Sequence, residues 1–108
     1  MEQKYNGWSN YPTWNYKLWL DNEEGSYNYW RGRVTELLSS NNGAAESAAR
    51  DLAGELESEL EENTPTTTGV YADLLNFAMG SIDYREIAEA MVADFLADHP
   101  QEAAQKEA

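Results

Sequence analysis

The chain has 108 residues, no cysteine, and 20 acidic against 7 basic side chains, a formal net charge of −13. That length suits one domain burying roughly 65% of the surface its unfolded form exposes, so folding requires neither metal nor disulfide. Disulfides, thiol nucleophiles and cysteine-bound metals are excluded, and the negative balance disfavours nucleic-acid phosphates and anionic membranes while favouring basic protein surfaces.

The opening MEQKYNGWSN is polar and lacks the apolar stretch of a signal peptide, and no apolar run approaches the ~20 residues of a membrane span. A cytoplasmic protein is expected. All four tryptophans (Trp8, Trp14, Trp19, Trp30) and five of the seven tyrosines fall within the first 30 residues, whereas residues 44–62 hold seven carboxylates against one arginine.

Residues 1–11 mix Gly, Asn and Ser with aromatics and read as an irregular lead-in, with no strand or hairpin expected. Pro12-Thr13 opens a first helix reaching about Glu24, with Thr13 as candidate N-cap. Its apolar residues, Trp14, Tyr16, Leu18, Trp19 and Leu20, cover so much of its circumference that a central position is expected. Gly25-Ser26 reads as the break before a second helix over 27–39. There Tyr27, Trp30, Val34, Leu37 and Leu38 follow helical spacing, and Gly32 suggests a close neighbour or a mild kink.

Ser39 to Gly43 is a loop. A third helix, Ala44 to Glu62, sets Ala45, Ala49, Leu52, Ala53, Leu56 and Leu60 on one stripe, small enough to pack against bulky residues such as the tryptophans. After the break at Asn63 to Gly69, a fourth helix takes Val70 to about Met79. Asp83 and Glu86 form a capping box, S/T/D-x-x-E, opening a fifth helix with Ile87, Ala88, Met91, Val92, Phe95 and Leu96 on its apolar face. The expected fold is all-α, a compact single-domain bundle of about five helices over 1–98, with 99–108 a disordered tail.

Two features are candidate contact surfaces. On the third helix Asp51, Glu55 and Glu59 repeat at i, i+4, i+8, with Glu57, Glu61 and Glu62 beside them, so carboxylates step about 6 Å along the axis at 1.5 Å per residue. Like charges at that spacing destabilise a helix by roughly 0.2–0.5 kcal/mol per pair. A solvated face tolerates this, but the array also suits a basic partner, and adaptation to high salt is a further explanation. Tyr5, Trp8 and Tyr11 lie in the lead-in, where they either clamp the N-terminus onto the bundle or contact a ligand. Trp14, Trp19 and Trp30 sit on helical apolar faces and are expected in the core. No catalytic constellation stands out: His99 is alone beside Pro100, no calcium-loop or Glu-x-x-His pattern exists, and no metal or cofactor is expected.

The run Asn6-Gly7-Trp8-Ser9-Asn10-Tyr11-Pro12-Thr13-Trp14-Asn15, followed by Leu18-Trp19-Leu20-Asp21-Asn22-Glu23, resembles the N-terminal hallmark of a family of small proteins of unknown function encoded largely by phages, plasmids and other mobile elements. Tyr71 to Leu75 and Ile82 to Glu89 resemble that family's second block, in which the position of Tyr84 is often tryptophan. The resemblance implies a context only. By analogy with other small acidic proteins of mobile elements, it implies an inhibitor of host defence of the anti-CRISPR or antirestriction type.

Charge and context together lead to the expectation of a non-enzymatic protein that occupies a basic, nucleic-acid-binding surface of a host complex. Asp51, Glu55, Glu57, Glu59, Glu61 and Glu62 would be its contacts. The alternative is a structural or regulatory interaction module, with a homodimer as one form, that uses the Trp/Tyr surface. A tryptophan-lined small-molecule site is a third, minor reading.

Overall fold

A computed structural model describes residues 5–98, which form five helices in chain order: α1 (Tyr11–Asn22), α2 (Glu24–Ser40), α3 (Ala45–Glu62), α4 (Gly69–Gly80) and α5 (Tyr84–Asp98). The all-α expectation holds, and the tail expected at 99–108, with His99, lies outside the described residues.

The core is built chiefly by three helices whose apolar residues recur every three or four positions, with Leu20 added from α1. Trp30, Val34, Leu37 and Leu38 come from α2, Ala48, Ala49, Leu52 and Leu56 from α3, and Ile87, Ala88, Val92 and Phe95 from α5. The α3–α5 interface is the most extensive between helices, so the small residues of α3 seat chiefly against α5. Leu52, Leu56 and Ile87 are wholly buried, each worth roughly 1.5–3 kcal/mol relative to exposure.

Several local expectations are corrected. The N-cap of α1 is Asn10, whose Oδ1 accepts from the Thr13 backbone N–H at 3.0 Å. The break after α1 falls at Glu23, in an extended conformation, and Gly25-Ser26 lie within the first turn of α2. A single extended residue, Glu23, turns the chain there. Gly32 is solvent-exposed, and a Cβ there would meet nothing within 4 Å, so no close neighbour explains it. The α2 terminus is closed by Asn42 at φ 55°: Gly43 N–H donates to the Leu38 carbonyl at 2.7 Å and Asn42 N–H to that of Ser39 at 3.2 Å. That pair of hydrogen bonds is the Schellman arrangement, in which asparagine replaces the usual left-handed glycine.

The lead-in contains a tight turn that was not expected. Tyr5 and Trp8 exchange backbone hydrogen bonds of 2.7 and 2.8 Å across Asn6 (φ 49°) and Gly7 (φ 90°). Positive φ at both central residues is what an Asn-Gly pair provides at low steric cost. The result is an isolated bridge, leaving the architecture helical.

Neither α1 nor all of its tryptophans is central. Only Thr13 and Leu20 of α1 are buried. Trp30 is in the core, Trp14 is half-buried, and Trp19 is 69% exposed, contrary to the expected core position. Helical spacing groups apolar residues on a side without stating whether another element covers that side.

Candidate interaction site

Helix α4 departs most from the packing rule. It carries one charged residue, Asp73, yet none of its residues is buried and it shares no extensive interface with another helix. Its outer face presents Val70, Tyr71, Leu74 and Phe77, exposed by 63, 72, 64 and 75%. A helix apolar around its circumference is normally enclosed. Trp19 adds a further exposed ring on α1.

Between α1, the end of α3 and the inner side of α4 runs a groove of about 370 Å³, with Tyr16, Trp19, Leu60, Leu75, Met79 and Ile82 among its lining. No charged side chain lines it. Tyr16 braces one wall: its hydroxyl donates to the Leu56 carbonyl at 3.2 Å, and its ring meets that of Tyr84 edge-on at 6.1 Å. Tyr84 in turn donates to the Met79 carbonyl at 3.3 Å. Burial pushes the Tyr16 phenol well above its ordinary range, reinforced by Tyr84 and Glu59. Tyr84 is raised by burial and then by Glu57 and Glu61. Both phenols therefore stay neutral hydrogen-bond donors at physiological pH.

The far end of the groove is positioned by residues distant in sequence. Thr13 is completely buried; its Oγ1 donates to Asn10 Oδ1 at 2.7 Å and accepts from the Asp83 N–H at 2.9 Å. Asn10 Nδ2 donates to the Ser81 carbonyl at 2.8 Å, and Ser9 N–H donates to Glu86 Oε1 at 3.2 Å. The expected capping box is thus divided. Asp83 Oδ1 accepts from the Glu86 N–H at 3.0 Å as foreseen, whereas Glu86 serves the lead-in and Thr13 takes the Asp83 N–H. These bonds tie the start of α1 to the α4–α5 turn.

Two of the three lead-in aromatics, Tyr5 and Tyr11, are brought together with Trp14. Tyr5 lies 5.1 Å from Tyr11 and 4.9 Å from Trp14, centroid to centroid, and Tyr11 lies 5.5 Å from Trp14. Tyr5 and Tyr11 keep 40 and 52% of their surface exposed, while Trp8 packs half-buried on the core with Lys17 Nζ 6.0 Å from its ring. Trp8 supplies a clamp, and Tyr11 also lines the apolar groove.

The six acidic candidates fall on two sides of α3. Asp51, Glu55, Glu59 and Glu62 border one open depression, and Glu57 and Glu61 another. They are not equivalent. Arg33 grips Glu55 through both oxygens, Nε to Oε1 at 2.8 Å and Nη2 to Oε2 at 2.6 Å, and also contacts Glu36. The hydrogen bond to Glu55 is the foremost reason the guanidinium is held more basic than usual, with burial opposing it. Asp51 accepts from Asn41 Nδ2 at 3.1 Å, and Glu59 accepts from Asn63 Nδ2 at 2.8 Å. Glu57, Glu61 and Glu62 have no ion pair among the described residues. No group of three or more His, Asp or Glu that could hold a metal occurs among the described residues. No helix there is long and apolar enough to cross a membrane.

The signal for α4 and Trp19 was present in the sequence as an apolar helix with a single charge, but which of its sides would remain uncovered was not. A family model described as a family of unknown function (DUF7249) matches residues 1–99, and the chain belongs to that family. No curated protein and no solved structure matches the chain.

Proposed function

We propose that the chain is a small, non-enzymatic interaction module whose contact surface is the outer face of α4 together with Trp19 and the adjoining groove. The observation that carries this is the exposure of Val70, Tyr71, Leu74 and Phe77 on one side of α4. Trp19 on α1 adds a further exposed ring, of a residue type enriched at interfaces. Exposed apolar side chains grouped on one helix face are a mark of interaction surfaces in proteins. A protein partner or a second copy of the chain would each cover this face.

A photo-crosslinking residue in place of Phe77, compared with one in place of the exposed Arg50, tests the reading in cells that make the protein. A discrete adduct formed from position 77 and not from position 50 is expected. Equal, diffuse labelling from both positions would remove the proposal.

A second reading keeps the acidic face as the contact: a cytoplasmic inhibitor from a mobile element, of the anti-CRISPR or antirestriction type, occupying a basic surface of a host nucleic-acid-binding complex. The unpaired Glu57, Glu61 and Glu62 favour it, while Glu55, held by Arg33, is a poor contributor. Neutralising Glu57, Glu61 and Glu62 together should then abolish inhibition of the target. Retained inhibition would exclude this reading.

A further inference from the structure

We infer that the groove between α1 and α4 receives a cationic amphipathic helix or peptide, with its apolar stripe against Trp19, Leu75 and Met79 and its basic side chains on the carboxylates at the groove's edge. This rests on the reading of the α1–α4 face as a docking surface and specifies the chemistry of what docks.

Charge complementarity selects the occupant. The floor and walls carry no charged group, so they offer apolar burial and the neutral polar groups of Asn15, Asn63, Thr64, Tyr11 and Tyr16. The edge is anionic. Asn63 lines the groove and holds Glu59 at 2.8 Å. Thr64 and Met79 are shared with the adjoining depression that contains Glu57 and Glu61. No lysine or arginine lines either depression. Lys17 on α1 is engaged by Asp21, and Arg33 by Glu55 and Glu36.

A second copy of the chain would bring another −13 charges to that edge, and like charges facing across an interface oppose association. A neutral peptide would fill the groove and leave the carboxylates unanswered. A helix with Lys or Arg flanking a Leu-type stripe satisfies both parts, by the groove mode of peptide recognition. Trp19 is placed as an aromatic anchor at the groove wall, the kind of residue that dominates such contacts.

The test uses fluorescein-labelled helical peptides of about five turns that share one leucine stripe and carry Lys, Gln or Glu at every other position. A scrambled Lys peptide is added, and binding to the full-length protein is read by anisotropy. The Lys peptide should bind about tenfold tighter than the Gln peptide, as two or three solvent-exposed charge pairs would give. The Glu peptide should bind more weakly than either. Added salt should bring the Lys peptide toward the Gln peptide. Trp19→Ser, at an exposed position, should weaken both the Lys and the Gln peptide. The double change Glu57→Gln and Glu61→Gln should reduce only the advantage of the Lys peptide.

Equal binding of Lys and Gln peptides would overturn the charge assignment while leaving the docking surface in place. Equal binding of the ordered and scrambled Lys peptides would show indiscriminate attraction and overturn the groove. Concentration-dependent dimers seen by light scattering and abolished by Trp19→Ser would assign the groove to a second copy and also overturn the inference. If no peptide binds, the cationic-helix inference fails, and crosslinking at position 77 separately decides whether the surface itself is used.

Discussion

Replacing Thr13 by valine tests whether the hydroxyl, and not the shape, of this residue joins the two ends of the chain. Valine keeps the branched outline and removes two hydrogen bonds, those to Asn10 Oδ1 at 2.7 Å and from the Asp83 N–H at 2.9 Å. Asn10 Oδ1 retains the Thr13 backbone N–H at 3.0 Å, so the first loss is an ordinary net hydrogen bond of about 0.5–1.5 kcal/mol. The Asp83 N–H loses its acceptor in a part-buried site, at about 1–3 kcal/mol. The expected total is about 1.5–4.5 kcal/mol, a large share of the 5–15 kcal/mol typical of a domain, and a fall in Tm of at least about 6 °C. Thr13→Ser keeps both bonds and loses one methyl group, about 1 kcal/mol. Urea unfolding followed by far-UV circular dichroism, with m-values compared, measures both variants. A serine variant less stable than the valine variant, or a valine variant within 0.5 kcal/mol of the parent chain, would refute the hydrogen-bond account in favour of packing. Because the same bonds place the α4–α5 turn, Thr13→Val should also weaken whatever occupies the neighbouring groove.

Gly32 and Gly54 lie inside α2 and α3 on exposed positions, with open space where a Cβ would go. Alanine at either should raise stability by up to about 1 kcal/mol through helix propensity, visible as a higher urea midpoint at unchanged m. A loss of stability at either would mean that the helix interior there is constrained in a way the open space does not suggest. Tyr16 and Tyr84 are held above their ordinary phenolic range in the folded chain. Below about pH 10 both states keep these protons and the term is constant; above it the unfolded chain loses protons that the folded chain retains, so stability falls as pH rises. Tyr16→Phe should flatten that alkaline decline, measured by urea unfolding across the alkaline range, and an unchanged slope would contradict the assignment.

Much of the architecture is legible in the residue pattern, and the misses have specific causes. The stripes Val34-Leu37-Leu38, Leu52-Leu56 and Ile87-Ala88-Val92 repeat at helical spacing, and each is buried, because covering such a stripe is how the core forms. Asp83 caps α5 as its local sequence requires. The α1–α2 break was misplaced since Gly25-Ser26 is the stronger turn signal, although one extended Glu23 suffices. Asn6-Gly7 is a recognised two-residue turn that the surrounding lead-in obscured.

The candidate site was less accessible. Trp19 and Trp30 look alike in sequence and end at opposite extremes of exposure, because periodicity describes one helix and burial depends on its neighbours. Thr13 and Asp83 meet across a separation of 70 residues, which no local pattern encodes. The acidic helix could be read as an array, but only the fold reveals that Arg33 claims Glu55.

Helix α4 contributes no buried side chain to the core, so under the proposed function recognition and folding would be carried by largely separate sets of residues. Exchanges at Val70, Leu74 or Phe77 would then alter what the molecule meets while leaving the scaffold's thermodynamics nearly untouched. A chain organised in this way can diverge rapidly in its choice of target without passing through unstable intermediates, since the scaffold exerts little restraint on its most exposed helix.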